Sequence, residues 1–120
     1  MTDATEIATA YIAAWNEQDA GQRAMLLARA WADEACYVDP LMRGEGREEI
    51  STMIGAVQAR FAGARFALRG KPEAHNDRLR FCWTLRGADG AMIAEGTDFA
   101  TTAPDGRLRN VTGFLDSIAG

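Results

Sequence analysis

The chain has 120 residues, 48% of them apolar and 25% charged, with a formal net charge of −4. That length suits one globular domain, residues 1–120, with a core of its own and leaves no room for a separate cofactor domain. The negative balance excludes the broad positive field that holds nucleic acid or an anionic leaflet, and the apolar runs fall well short of the ~20 residues of a membrane-spanning helix. Cys36 and Cys82 stand apart in apolar stretches and no secretory leader opens the chain, so a reduced, cytoplasmic protein is expected. With one histidine and two isolated thiols there is no ligand set at zinc spacing, and neither a metal nor a cofactor is expected.

Helices come first. Asp3 and Glu6 form a capping-box pattern ahead of Ile7, Tyr11, Ala14 and Trp15 at helical spacing, so the first helix carries one apolar stripe and ends near Asn16 to Asp19. Ala24, Leu27, Ala28 and Trp31 give a second helix from about Gly21 to Glu34. Ala35-Cys36-Tyr37-Val38-Asp39 is short and β-prone, and Pro40 forces Asp39 out of the helical region; a strand ending at Asp39 is predicted, then a loop from Leu41 to Gly46. Ile50, Met53, Ile54, Val57 and Phe61 mark the third helix, which Gly63 stops.

From there the period changes to two. Phe66 and Leu68 alternate with Arg65, Ala67 and Arg69 until Gly70-Lys71-Pro72 breaks or bulges the strand before Glu73 to His75. After a turn at Asn76-Asp77, residues Leu79, Phe81, Trp83 and Leu85 form one apolar face. Asp89-Gly90 and Asp105-Gly106 mark two further hairpins around strands of about Met92 to Thr102 and Arg107 to Leu115. Three helices followed by this meander make an α+β fold, in which the helices cover one face of a strongly curved antiparallel sheet and its wide end leaves a central cavity.

Three polar residues sit where apolar ones would be ordinary. Tyr11 lies on the stripe of the first helix, either as a core tyrosine with a backbone partner or as a functional phenol. Asp98 stands in mid-strand with Met92, Ala94, Gly96 and Ala100 on its own face; aspartate is disfavoured in strands, which favours an exposed side chain over a buried acid with a raised pKa. Asp39, ending a strand before proline, either caps the turn or serves as a general base at the cavity mouth, and the two roles are compatible. His75 is read as a solvated turn residue or a second proton shuttle, and Arg80 as a side chain of the outer sheet face.

In order along the chain, Tyr11-Ile12-Ala13-Ala14-Trp15-Asn16 with Asp19, Tyr37-Val38-Asp39-Pro40, and Gly96-Thr97-Asp98-Phe99 leading to Asp105-Gly106-Arg107-Leu108 resemble the nuclear-transport-factor-2-like superfamily, above all its SnoaL-like and ketosteroid-isomerase-like members. The loop after Asp39 and the segment from Ala74 to Trp83 are more similar to bacterial SnoaL-like proteins than to steroid enzymes. The resemblance implies a cystatin-like cone with a hydrophobic pocket. It also implies catalytic roles for Tyr11, Asp39 and Asp98: Asp39 would move a proton, while Tyr11 and a neutral Asp98 would stabilise an enolate oxygen. A positive charge from Arg80 or His75 inside the cavity would favour ionised Asp98 and remove that donor.

The expected pocket lining is Trp15, Met53, Val57, His75, Phe81, Trp83 and Phe114. Three functions follow: a cofactor-free isomerase or cyclase acting next to a carbonyl on a small hydrophobic substrate, a pocket that binds such a molecule without turnover, or a structural dimer whose cone is filled by Trp15, Phe81 and Trp83. All three share an expected homodimer through the outer sheet face, where Ile93 and Phe99 would lie.

Overall fold

In a computed structural model that describes residues 3–119, helix α1 (Ala4–Asn16) begins at Asp3, whose side chain accepts the Thr5 amide at 2.7 Å. Helix α2 (Ala20–Ala30) begins at Asp19, which accepts the Gln22 amide at 2.7 Å. Trp31 does not continue α2 as its spacing implied; it opens strand β1 (Trp31–Val38). The chain turns extended there because Trp31 pairs with Leu108 across the sheet and buries its side chain completely, a tertiary gain that outweighs the helical preference of the segment to Glu34.

The segment expected as a loop contains β2 (Arg43–Glu45), which pairs antiparallel with β1 through Tyr37 and Gly44 and their neighbours. Helix α3 (Gly46–Arg60) follows, and then β3 (Arg65–His75), β4 (Arg78–Arg86), β5 (Met92–Thr102) and β6 (Leu108–Ile118) form the antiparallel meander. The irregularity expected around Gly70 is a register shift between Arg69 and Glu73, and Asn76 turns the next hairpin with φ 51°.

The sheet is mixed, not antiparallel throughout. Its order is β2-β1-β6-β5-β4-β3, and β1 runs parallel to β6. A parallel pair needs a long crossover, which α3 and the meander supply between them. Register shifts recur in the β1/β6, β4/β5 and β5/β6 pairs, and each such bulge adds local bend and twist. The sheet therefore curves without closing.

The helices lie on one face, α1 against β3 and α3 against β1. Leu27, Trp31, Ile50, Ile54, Leu79, Leu108 and Val111 are fully buried between these layers. Two polar ties fix the helices. The buried Arg23 donates to Ser51 Oγ at 3.0 Å, the Glu17 carbonyl at 2.8 Å and Gln58 Oε1 at 3.0 Å, joining all three helices. Asn16 bonds the backbone of Phe66 in both directions, at 2.9 and 2.8 Å, which pins the end of α1 to β3. Tyr11 and Trp15 are thereby held over the sheet. No helix among the described residues is long and apolar enough to cross a membrane.

Candidate active site

A cavity of about 120 Å³ lies between helices α1 and α3 and the curved sheet. Apolar side chains make most of its wall, from Ile12 and Phe66 to Leu41 and Ile118, which are 72% and 63% exposed and mark the mouth. Tyr11, Tyr37, Asp39 and Asp98 supply polarity, with the indoles of Trp15 and Trp83 beside them. The cone is therefore not filled by Trp15, Phe81 and Trp83.

Asp98 is buried, with 1% exposure, and the preference for a solvent-facing strand aspartate fails here. Its inward neighbours are the small Ala94, Gly96 and Ala100, so larger groups from other elements reach its carboxyl. The Tyr11 hydroxyl donates to Oδ2 at 2.5 Å and the Trp83 N–H to Oδ1 at 3.1 Å. Burial pushes the Asp98 pKa up from 3.8 to about 6 against these two hydrogen bonds, with Asp39 and Asp116 adding to the rise. Tyr11 is held well above the usual phenol range by burial first, and then by the charge of Asp98 and by Tyr37.

Two glycines allow this approach. A Cβ on Gly96 would stand 2.2 Å from Cζ2 of Trp83, so only a bare backbone lets that indole lie against β5 with its N–H toward Asp98. Gly113, paired with Asp98 across β5 and β6, is the second. A Cβ there would meet Asp98 Oδ1 at 2.9 Å, the Tyr37 hydroxyl at 3.1 Å and Asp39 Cβ at 3.2 Å. Three polar side chains thus converge where β6 carries none.

Asp39 combines both roles considered for it in position, capping a turn while lining the cavity. Oδ1 accepts the amides of Leu41 at 2.8 Å and Met42 at 2.9 Å, and Oδ2 accepts the Tyr37 hydroxyl at 2.6 Å. A carboxylate has about four lone-pair sites, so Oδ2 keeps one free. Tyr37 is the site residue that the sequence reading passed over. Its signal was present, since a residue two before Asp39 on a strand shares its face. Burial raises the Tyr37 phenol far above its usual range, with Asp98 and Asp39 reinforcing the effect.

Of the expected lining, Trp15, Val57 and Trp83 face the cavity, whereas Met53, His75, Phe81 and Phe114 do not. Met53 lies in the core one helical turn below Val57. Phe81 packs edge-on against Tyr11 in the core, with centroids 4.9 Å apart. His75 is exposed at the β3–β4 hairpin beside Asn76. Phe114 is 56% exposed because Gly113 and Leu115 take the inward positions of β6. Ile93, expected outside, lines the cavity: the register shift between Leu85 and Arg86 makes it the extra residue of a bulge. Arg80 is exposed and pairs with Glu73, so neither it nor His75 brings positive charge to Asp98. Among the described residues no cluster of three histidine, cysteine or acidic side chains could hold a metal ion.

No protein-family model matches the chain, and no curated protein does. Solved structures match along its whole length. A candidate isomerase of the SnoaL-like family from Agrobacterium tumefaciens strain C58 is 47% identical, covers 98% of this chain and 100% of its own, and superposes with a TM-score of 0.93. A SnoaL-like protein from Burkholderia thailandensis is 18% identical over 95% of this chain and 94% of its own, with a TM-score of 0.72. An NTF2-like protein from an Exiguobacterium species is also 18% identical, over 92% of this chain and 98% of its own, with a TM-score of 0.72. At 18% identity, the last two relate by fold alone.

Proposed function

This chain belongs to the SnoaL-like family, and we propose that it is a cofactor-free isomerase or cyclase that moves a proton next to the carbonyl of a small, neutral, hydrophobic substrate. The observation that carries this reading is the meeting of Asp39 with the buried Tyr11–Asp98 pair at one end of an otherwise apolar cavity. Asp39 Oδ2 takes a proton from the carbon beside the carbonyl, the C–H electron pair becomes the enolate double bond, and negative charge moves to the oxygen. Tyr11, with Asp98 behind it, faces that charge in a site screened from water. Asp39 then returns the proton to another carbon. Among the described residues no lysine, arginine or histidine lines the cavity while two carboxyl groups do, which disfavours any substrate carrying a carboxylate or phosphate.

A second reading, binding without turnover, draws on the use of three Asp39 lone pairs to hold a turn and Tyr37. Deuterium exchange separates the two. With 2-tetralone in D2O, the protein is expected to accelerate loss of the C1 proton signal by at least about 10²-fold over buffer, the low end for a positioned base. Binding of the ketone with no acceleration would overturn the catalytic reading in favour of the second.

The homodimer belongs to the same proposal. Phe99 and Phe114 are 41% and 56% exposed on the face away from the helices, on adjacent strands β5 and β6. Exposed aromatic pairs of this kind are best covered by a second copy. Sedimentation velocity should give twice the chain mass; a monomer at every concentration would remove the dimer from the proposal.

A further inference from the structure

The cavity is small for the substrates its walls invite. Its volume of about 120 Å³ lies near the roughly 150 Å³ of an apolar cavity that takes up benzene, so one six-membered ring fills it. Pockets that enclose a whole drug-sized ligand usually reach roughly 300 Å³ or more. Depth orders the groups around that ring. Tyr11 and Asp98 are buried, Asp39 is half-buried, and Leu41, two residues further on, is exposed. A carbonyl oxygen at Tyr11 puts the carbon beside it at Asp39 and turns the far side of the ring outward, to Leu41.

Two exposed apolar side chains of the lining, Leu41 and Ile118, stand on fixed backbone. The Leu41 amide donates to Asp39 Oδ1 at 2.8 Å, and the Asp39 amide closes the turn on the Met42 carbonyl at 2.9 Å. Ile118 pairs with Ala94 of β5, and the next amide, that of Ala119, donates to the Ile93 carbonyl at 2.9 Å. Neither is the tip of a loose loop. Both adjoin further apolar lining, Leu41 beside Met42 and Ile118 beside Ile93. Single exposed leucines are ordinary on a surface, but an apolar rim continuous with an apolar pocket marks surface that a ligand covers.

We propose that Leu41 and Ile118 determine specificity: the substrate is a cyclic ketone that fits one ring inside the cavity and lays an apolar extension, carried on the side of that ring away from the oxygen, over these two side chains. This rests on the reading of the cavity as a carbonyl site. 2-Tetralone meets the requirement through its fused aromatic ring, which emerges at the mouth while C1 stays at Asp39. An unextended ring leaves the rim in water.

The test titrates the intact protein with cyclohexanone and 4-butylcyclohexanone, followed by proton–nitrogen correlation spectra, which reach the weak affinities of small ketones. A fully buried chain gains roughly fourfold per methylene, so a butyl group with one side on the rim is expected to tighten binding by roughly tenfold. In the double variant Leu41→Ser with Ile118→Ser that ratio is expected to fall to about twofold or less, and Leu41→Met is expected to keep most of it. The ratio cancels any effect of the substitutions on the ring itself. Equal affinities for the two ketones in wild type, or an undiminished ratio in the double variant, would overturn the role of the rim and leave the carbonyl site standing. A double variant that changes only the sedimenting mass would assign Leu41 and Ile118 to contact between copies, which also overturns the proposal. If the ratio holds but neither ketone exchanges deuterium faster than in buffer, the rim stands and the catalytic reading gives way to binding. If neither ketone binds, carbonyl site and rim fall together.

Discussion

Asp39→Asn is expected to slow deuterium exchange into 2-tetralone by about 10²- to 10⁴-fold, the range lost when a positioned general base is removed. The substitution is chosen because the amide keeps most of the local structure. Its oxygen can still accept the Leu41 and Met42 amides that now bind Oδ1, so the turn at the cavity mouth persists. Its nitrogen replaces Oδ2, the atom that holds the remaining lone pair, and an amide nitrogen has no pair to offer a carbon acid. Asp39→Ala would add the loss of three hydrogen bonds and confuse base with brace. Thermal unfolding by circular dichroism should place Asp39→Asn close to wild type, within about 1 kcal/mol for the single exchanged bond to Tyr37. Equal exchange rates in the two proteins would remove Asp39 from the chemistry, and an unfolded variant would show itself in the same spectra.

What the sequence could reveal depended on whether the cause was local. Helix α1, α3 and the meander follow from apolar spacing and from turn residues such as Asn76 and the Asp89-Gly90 pair, all of which act within a few residues. β1 was half legible. Its Tyr37 end is β-prone by composition, but its Trp31 end exists because Leu108, far along the chain, offers a partner. β2 is three residues long and has no pattern of its own; it is strand only because β1 lies beside it.

The same division runs through the site. Tyr11, Asp39 and Asp98 could be singled out as polar residues in apolar or turn contexts. That Asp98 is buried required knowing that β5 lies inside the sheet and that Gly96 and Gly113 clear space for Trp83 and Tyr37. Face assignments failed where bulges shift the count: one extra residue turns Ile93 inward. Periodicity carries no record of such shifts, so Ile93 and Phe114 were exchanged between the two faces.

Asp98 gives the second large effect, on stability as a function of pH. Its pKa is about 6 in the folded chain against 3.8 for the ordinary side chain, so between those values the folded state holds a proton that the unfolded state has released. The contribution is fully present below the unfolded value and is lost as pH rises through about 6. Above that, the ionised group costs roughly 3 kcal/mol relative to acid conditions, from 1.36 kcal/mol per pKa unit. Most carboxylates act in the opposite direction, and Glu73 and Asp105, held low by Arg80 and Arg107, are examples. The effect is therefore read as the difference in urea stability between wild type and Asp98→Asn, which share those other groups. That difference should shift by roughly 2.4 kcal/mol in favour of wild type between pH 7 and pH 4, the rest of the effect lying below the unfolded value. A flat difference would mean that Asp98 titrates as it does in water. The proposed chemistry predicts the same midpoint in the exchange rate: only the neutral acid frees the Tyr11 hydrogen for the enolate oxygen, so the contribution of Tyr11 should fade as pH rises through about 6, and in Tyr11→Phe that limb of the profile should disappear.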